Sequence, residues 1–183
     1  MKTKWPISDA RSVAQMLVHD LAALCERIEI AGSIRRKKPM VSDIEILYVP
    51  RFEERPFDLF STHLLNLADE QINHWLSVGY LAKRPSSTGV TAWGDKNKLG
   101  IHVPSGISLD LFATSEENWW VSLVIRTGSK ETNLKLTNGA IDHNRRLNAY
   151  GCGVTERGRI IPAQSERDVF DLCFVPYAEP ENR

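Results

Sequence analysis

Residues 41–49, Val-Ser-Asp-Ile-Glu-Ile-Leu-Tyr-Val, alternate strictly. A period of two is that of an extended strand, whose successive side chains point to opposite faces. Asp43, Glu45, Leu47 and Val49 share one face, and Ile44, Ile46 and Tyr48 the other. Buried carboxylates on an otherwise apolar strand are costly unless a cation satisfies them. Residues i and i+2 of a strand project to the same side with Cα atoms ~6.5–7 Å apart. Two carboxylates so placed can converge on one or two hard cations, which take oxygen ligands. Asp110, in Ser-Leu-Asp-Leu-Phe, sits on a second strand candidate whose neighbours Leu109 and Leu111 point the other way. A third acid on an adjacent strand completes a two-metal cluster, which activates an attacking hydroxyl and stabilises the leaving oxygen in phosphoryl transfer.

Upstream, Gly32-Ser33 follows a strand candidate, Arg-Ile-Glu-Ile-Ala. The backbone can approach a phosphate closely there, and exposed N–H groups with the serine hydroxyl can bind its oxygens. Arg35 and Arg36 follow at once and offer charge-assisted bonds to a polyphosphate. Each piece alone is ordinarily a turn, a solvated loop or a strand-end charge. Their order and spacing favour a functional reading over that ordinary one.

The 183 residues allow one or two small domains with a real core. No apolar run approaches the ~20 residues needed to cross a bilayer, and the N-terminus lacks the apolar stretch of a secretory signal. Cytoplasmic or nucleoid-associated placement is expected. The cysteines, Cys25, Cys152 and Cys173, lack CxxC spacing and read as free thiols. Net charge is zero, against a strong nonspecific DNA binder, yet residues 126–159 carry a local excess of +4 and residues 160–183 one of −3.

Along the chain, a helix is expected from Ser8, carrying Val13, Met16, Leu17, Leu21 and Leu24, and another over 57–79, carrying Phe60, Leu64, Leu67, Ile72 and Leu76. Strands are expected at Thr-Gly-Val-Thr-Ala-Trp-Gly, Lys-Leu-Gly-Ile-His-Val and Ile-Ser-Leu-Asp-Leu-Phe-Ala. Trp119 to Arg126 reads as a helix entering a turn at Arg126 to Ser129; Ser129 caps a helix running to about Asn144, with Leu134, Leu136, Ala140 and Ile141 apolar. A small hairpin sheet over 146–161 and a short helix capped by Ser165 and Asp168 follow. The class is α+β: residues 1–115 a catalytic half, residues 116–183 a smaller one.

The stretch from Gly32 to Leu47 resembles the palm motif of family X DNA polymerases, the polymerase beta class of the nucleotidyltransferase superfamily. Arg126 to Leu136 resembles their thumb motif, Thr-Gly-Ser and an asparagine four residues on. Arg146 to Cys152 resembles the strand that follows it, Ser165 to Arg183 the C-terminal segment, and Lys4 to Ala10 the entry into the palm. The likeness runs over nearly the whole chain and is patchy between 50 and 105.

It implies a nucleotidyltransferase-type palm, a mixed sheet carrying three carboxylates, followed by a small thumb-like subdomain. It implies Asp43 and Glu45 as ligands of both metals, with Asp110 on the catalytic metal and placed to accept the primer hydroxyl's proton. The cofactor implied is Mg2+, with Mn2+ substituting. Gly32, Ser33, Arg36, Lys4 and Ser42 would hold the triphosphate. Thr127 and Gly128 would line the sugar, Asn133 would reach the base edge, and Lys130, Lys135, Arg145 and Arg146 would meet DNA.

The activity implied is DNA-directed DNA polymerisation in gap-filling repair, on primer–template or gapped DNA with dNTP, by a monomer away from membranes. Two other readings stand beside it: a template-independent nucleotidyltransferase acting on RNA, protein or a small acceptor, and a non-catalytic domain binding DNA ends or nucleotides. The chain departs from the family at Ile125-Arg126, where an aromatic pair is usual, and at Ser108 and Phe112, where arginines flank the third acid. Thr137 stands where an arginine often faces the template. There is no room before Lys4 for a lyase domain or helix-hairpin-helix module, so a minimal core is expected.

Overall fold

The structure is a computed structural model describing residues 3–56, 61–86, 88–148, 150–151 and 153–183. The chain opens with a short strand, β1 (Trp5–Pro6), and a helix, α1 (Ile7–Ala22). Then come β2 (Cys25–Ile30), the single-turn helix α2 (Gly32–Arg35), β3 (Met40–Val41) and β4 (Asp43–Pro50). A ribbon of β5 (Phe52–Pro56) and β6 (Thr62–Asn66) leads to α3 (Leu67–Ser77), then β7 (Leu81–Lys83), β8 (Asn97–His102) and β9 (Ile107–Ala113). The second half holds α4 (Trp119–Thr127), α5 (Lys130–Asp142), β10 (Arg145–Asn148), β11 (Gly153–Glu156), β12 (Arg159–Ile161) and α6 (Glu166–Leu172).

The main sheet has the order β2-β4-β9-β8-β7. Only β4 and β9 run parallel, because a long excursion through the ribbon, α3, β7 and β8 separates them and returns β9 in the same direction. One face of β4 presents Ile44, Ile46 and Tyr48 to a core built with Ala10, Ala14, Leu17 and Leu21 of α1 and Ala68, Ile72 and Trp75 of α3. The α1 residues recur at helical spacing, which puts them all on the inner face. On the opposite face Leu47 and Val49 pack with Phe112 against Trp119 and Leu123 of α4. That helix covers only the second half of the face, and Asp43 and Glu45 occupy the first.

The second half has its own core of Val121, Val124, Leu136, Ala140, Val154, Val169, Phe170 and Cys173. Ser129 caps α5 by accepting the Thr132 N–H, and Ser165 caps α6 by accepting that of Asp168. Asp168 completes the second cap: its carboxylate accepts from the Gln164 N–H and the Ser165 hydroxyl. The Trp119–Trp120 pair sits at the junction of the halves, with the Arg27 guanidinium 4.8 and 5.0 Å from the two ring centroids.

Several expectations are corrected. The helix placed over 57–79 begins only at Leu67, where the Asn66 side chain accepts the Asp69 N–H, and residues 62–66 are strand. Leu64, read as part of its apolar face, is exposed on the ribbon. α1 starts at Ile7, ahead of Ser8, and Met16 is exposed. Residues 88–94 form only isolated bridges, Pro85 with Thr91 and Trp93 with Lys98. Leu134 and Ile141 face solvent on α5. Phe60 and Cys152 lie outside the described residues, whereas Cys25 and Cys173 are buried free thiols pushed up by burial to about 12 and about 11. Among the described residues no helix is long and apolar enough to cross a membrane.

Candidate active site

The register of the main sheet assembles the acids. In the parallel β4–β9 ladder Glu45 lies opposite Asp110, and Asp43 opposite Ser108. Cross-strand partners share a face and neighbouring strands lie ~4.8 Å apart, so all three carboxylates belong to one patch. Burial, then the charges of Asp43 and Asp110, push Glu45 up to about 7, against the opposing pull of Arg126 and Arg36. The cluster is therefore electrostatically strained as it stands.

Gly32 explains how Glu45 fits. Its φ of +61° is in the left-handed region, and a Cβ built there would stand 2.1 Å from Glu45 Oε2. The carboxylate thus lies in the crook of the turn, and the Ala31 N–H ties the turn to the strand by donating to the Glu45 backbone carbonyl at 2.8 Å. Gly32→Ala is expected to destabilise the fold by more than the ~1–2 kcal/mol of the left-handed backbone alone, because the clash adds to it. Urea denaturation measures this, and wild-type stability in the variant would contradict the close approach.

The turn leads into α2, where the Ser33 hydroxyl oxygen is buried without a hydrogen-bond partner. Such an orphan suits an anionic oxygen arriving from a ligand. The arginines behave differently from their reading as a phosphate pair. Arg35 donates to both oxygens of Glu166 at 2.7 and 2.9 Å and to the Thr127 hydroxyl at 2.9 Å. Arg183 joins the same Glu166 at 2.8 Å. Burial pushes Glu166 up, but hydrogen bonds and charge from the two arginines outweigh it and hold the carboxyl below its ordinary range. Arg35 is thereby a tie between the two halves of the chain, which corrects its reading as a polyphosphate contact. Arg36 donates to the Thr127 carbonyl, with its Nε buried and unpartnered. Lys4 is exposed and immediately precedes β1, whose Trp5 lies opposite Val41, the residue before Ser42.

Two further arginines reach the acids from distant sequence. The Arg84 N–H donates to the Leu99 carbonyl, and Leu99 pairs with Asp110, so Arg84, Leu99, Asp110 and Glu45 form one row across four strand positions. The Arg84 side chain crosses that row and forms an ion pair with Asp110. The Arg126 guanidinium lies 3.6 Å from the Phe112 ring centroid and 4.7 Å from that of Tyr150. Phe112 stands where the family resemblance leads one to expect an arginine, and Arg126 where it leads one to expect a ring. The two have exchanged places and are in contact. Nothing in the local sequence around Asp110 signals either arginine.

The donor set of Asp43, Glu45 and Asp110 is all carboxylate oxygen on one sheet face, which suits a hard divalent cation. Among the described residues, however, no three His, Cys, Asp or Glu side chains are drawn together into a group that could hold a metal ion. Asp110 is engaged by Arg84 instead.

Facing Glu45 across the junction, Ile125, Arg126, Gly128, Lys130, Asn133, Leu134 and Thr137 complete a cleft of about 450 Å³. Gly128 is packed against Asn133, whose Oδ1 would be 2.4 Å from an added Cβ. Asn133 donates to the Ile125 carbonyl at 2.9 Å, with its Oδ1 buried and unpartnered. Thr127 is buried and taken up by Arg35 and Arg36. Of the basic residues assigned to DNA, Lys130, Lys135 and Arg146 are exposed, Lys135 beside Glu131. Arg145 is different: it bonds Glu156 at 3.1 Å and the Leu172 carbonyl at 3.0 Å and covers the Phe174 ring, so it braces the second half of the chain. A larger hollow of about 760 Å³, between the end of β4, the ribbon and Tyr150, contains none of the three carboxylates. The smaller cleft is the one that Glu45 lines.

Residues 122–183 match the family model of the DNA polymerase beta thumb. The chain is similar to the DNA polymerase/3'-5' exonuclease PolX of Bacillus subtilis (strain 168), 25% identical over 183 residues, covering 98% of this chain and 28% of that protein. The chain thus spans little more than a quarter of that relative's length. In structure it is similar to the Leishmania infantum polymerase beta, solved as a ternary P/T complex, with a TM-score of 0.71 at 21% identity over 99% of this chain and 77% of that one. The α+β fold is thus that of polymerase beta, palm and thumb, and the chain is family X polymerase-like.

Proposed function

We propose that the chain is the catalytic core of a DNA-directed DNA polymerase, adding dNMP from dNTP to a DNA 3′-hydroxyl by two-metal phosphoryl transfer in gap-filling repair. The observation that carries the reading is the register of Glu45 with Asp110, with Asp43 two residues before Glu45 on the same face. The likeness to polymerase beta supports it, and a DNA primer–template as partner is carried over from the Leishmania infantum relative's complex.

Mg2+, with Mn2+ as substitute, would be held by Asp43, Glu45 and Asp110 and would supply Lewis-acid and charge-neutralising chemistry. The chain's own residues do the rest. Gly32, Ser33, Arg36, Lys4 and Ser42 surround the triphosphate position, Ser33 with its orphan hydroxyl and Arg36 after leaving the Thr127 carbonyl. Asp110 is placed to accept the primer hydroxyl's proton once it leaves Arg84. Thr127 and Gly128 form the turn against the sugar, and Asn133 meets the base edge by exchanging its bond to the Ile125 carbonyl. Lys130, Lys135 and Arg146 offer phosphate contacts, which position DNA without reading its sequence.

The test is a one-nucleotide-gapped primer–template given each dNTP singly, with Mg2+ or with chelator. One addition, directed by the template base and dependent on the metal, is the expected result. Addition without regard to the template would move the reading to a template-independent nucleotidyltransferase. No transfer under any condition would leave a non-catalytic binding domain.

A further inference from the structure

We infer that Arg84 and a divalent cation compete for Asp110, so that Arg84 sets how readily the carboxylate cluster assembles. The inference rests on the metal reading of the cluster proposed above. Arg84 is a positioning residue that no sequence motif marks. Its place follows from the sheet: β7 pairs β8 with Lys83 opposite Gly100, and the next rung, Arg84 to Leu99, is in line with Asp110. Side chains in one row share a face, and the distance across two strand spacings is ~9.5 Å, which the long arginine stem and the aspartate together span.

The pair is shielded from water, with the two side chains 14% and 13% exposed. A guanidinium there neutralises one of three carboxylates that otherwise repel one another. Its hydrogen bonding is incomplete: Nη2 meets Asp110, Nη1 meets the Pro85 carbonyl at 3.4 Å, and Nε is buried without a partner. A cation held on one strong and one long bond is a replaceable partner. With Asp110 on Arg84, the described acids form no three-membered metal group. Asp110 is already the cross-strand neighbour of Glu45, so leaving Arg84 requires only that its side chain turn along the sheet face.

The test uses the whole chain and Mn2+ alone, with binding followed by loss of the free ion's paramagnetic resonance signal. Arg84→Gln should bind Mn2+ about tenfold more tightly than wild type, the scale of one charge-assisted hydrogen bond lost to the competitor. Arg84→Lys, which keeps the charge without the fork, should fall between. In an Asp110→Asn background the Arg84→Gln change should add nothing, because there is no carboxylate left to compete for. Unchanged or weaker Mn2+ binding by a folded Arg84→Gln or Arg84→Lys chain overturns the inference, as does an undiminished effect in the Asp110→Asn background. The wild-type titration separately tests the metal reading: binding by wild type with no gain on removing Arg84 overturns the competition alone, and no binding by any variant overturns both.

Discussion

Asp110→Asn is expected to lower nucleotidyl transfer by about 10³-fold or more, equivalent to ~4 kcal/mol of transition-state stabilisation, while nucleotide binding changes by less than about tenfold. Asp110 is the acid on β9, opposite Glu45 and at the edge of the patch nearest Arg84. Asp43, Glu45, Ser33 and Arg36 lie on or beside the other strand, and the variant leaves them in place. The substitution removes the group proposed to take the hydroxyl proton but keeps its shape. It also strips Arg84 of its counter-charge, and an uncompensated, partly buried cation destabilises a fold. Circular dichroism and a melting curve must therefore accompany the assay. Normal extension by a folded variant would remove Asp110 from the site.

The metal-free chain should lose stability as pH rises from 5 to 8 on account of Glu45, and Glu45→Gln should remove that loss. Burial and the neighbouring acids raise Glu45 from its ordinary 4.5 to about 7. The folded chain therefore holds a proton that the unfolded chain has released. For a raised group the contribution is fully present below the unfolded value of 4.5 and is lost as pH climbs through 7. A shift of that size corresponds to about 3 kcal/mol. Glu166, held low by Arg35 and Arg183, acts in the opposite sense at acid pH, so the clean observable is the difference between variant and wild type. Urea denaturation of both in chelator, at pH 5 and pH 8, should show Glu45→Gln gaining on wild type by about 2.5 kcal/mol, the part of that contribution lost between the two pH values. A constant difference at the two pH values would mean that Glu45 is not strained.

Much of the palm was legible because its signals are local. The alternation around Asp43 and Glu45 has the period of a strand, and the structure places Ile44, Ile46 and Tyr48 in one core and Leu47 and Val49 in another. Gly32-Ser33 announced a turn, and Ser129 and Ser165 announced helix starts, because capping is settled within three or four residues. The stretch from 52 to 66 misled for the converse reason. Leu64 stands at helical spacing from Leu67, but only Leu67 is in the helix, because residues 62–66 are taken up by pairing with Phe52–Pro56.

What the sequence by itself determined was the set of carboxylates, the turn beside them and the strands that carry them. Which cations face them was decided only in three dimensions. Arg84 meets Asp110 through strand register, Arg126 reaches the Phe112 ring by helix packing across the junction, and Arg35 is drawn off to Glu166, 131 residues away. A charge pair depends on distance through space. Long-range register and packing set that distance, and neighbouring residues in the chain do not record it.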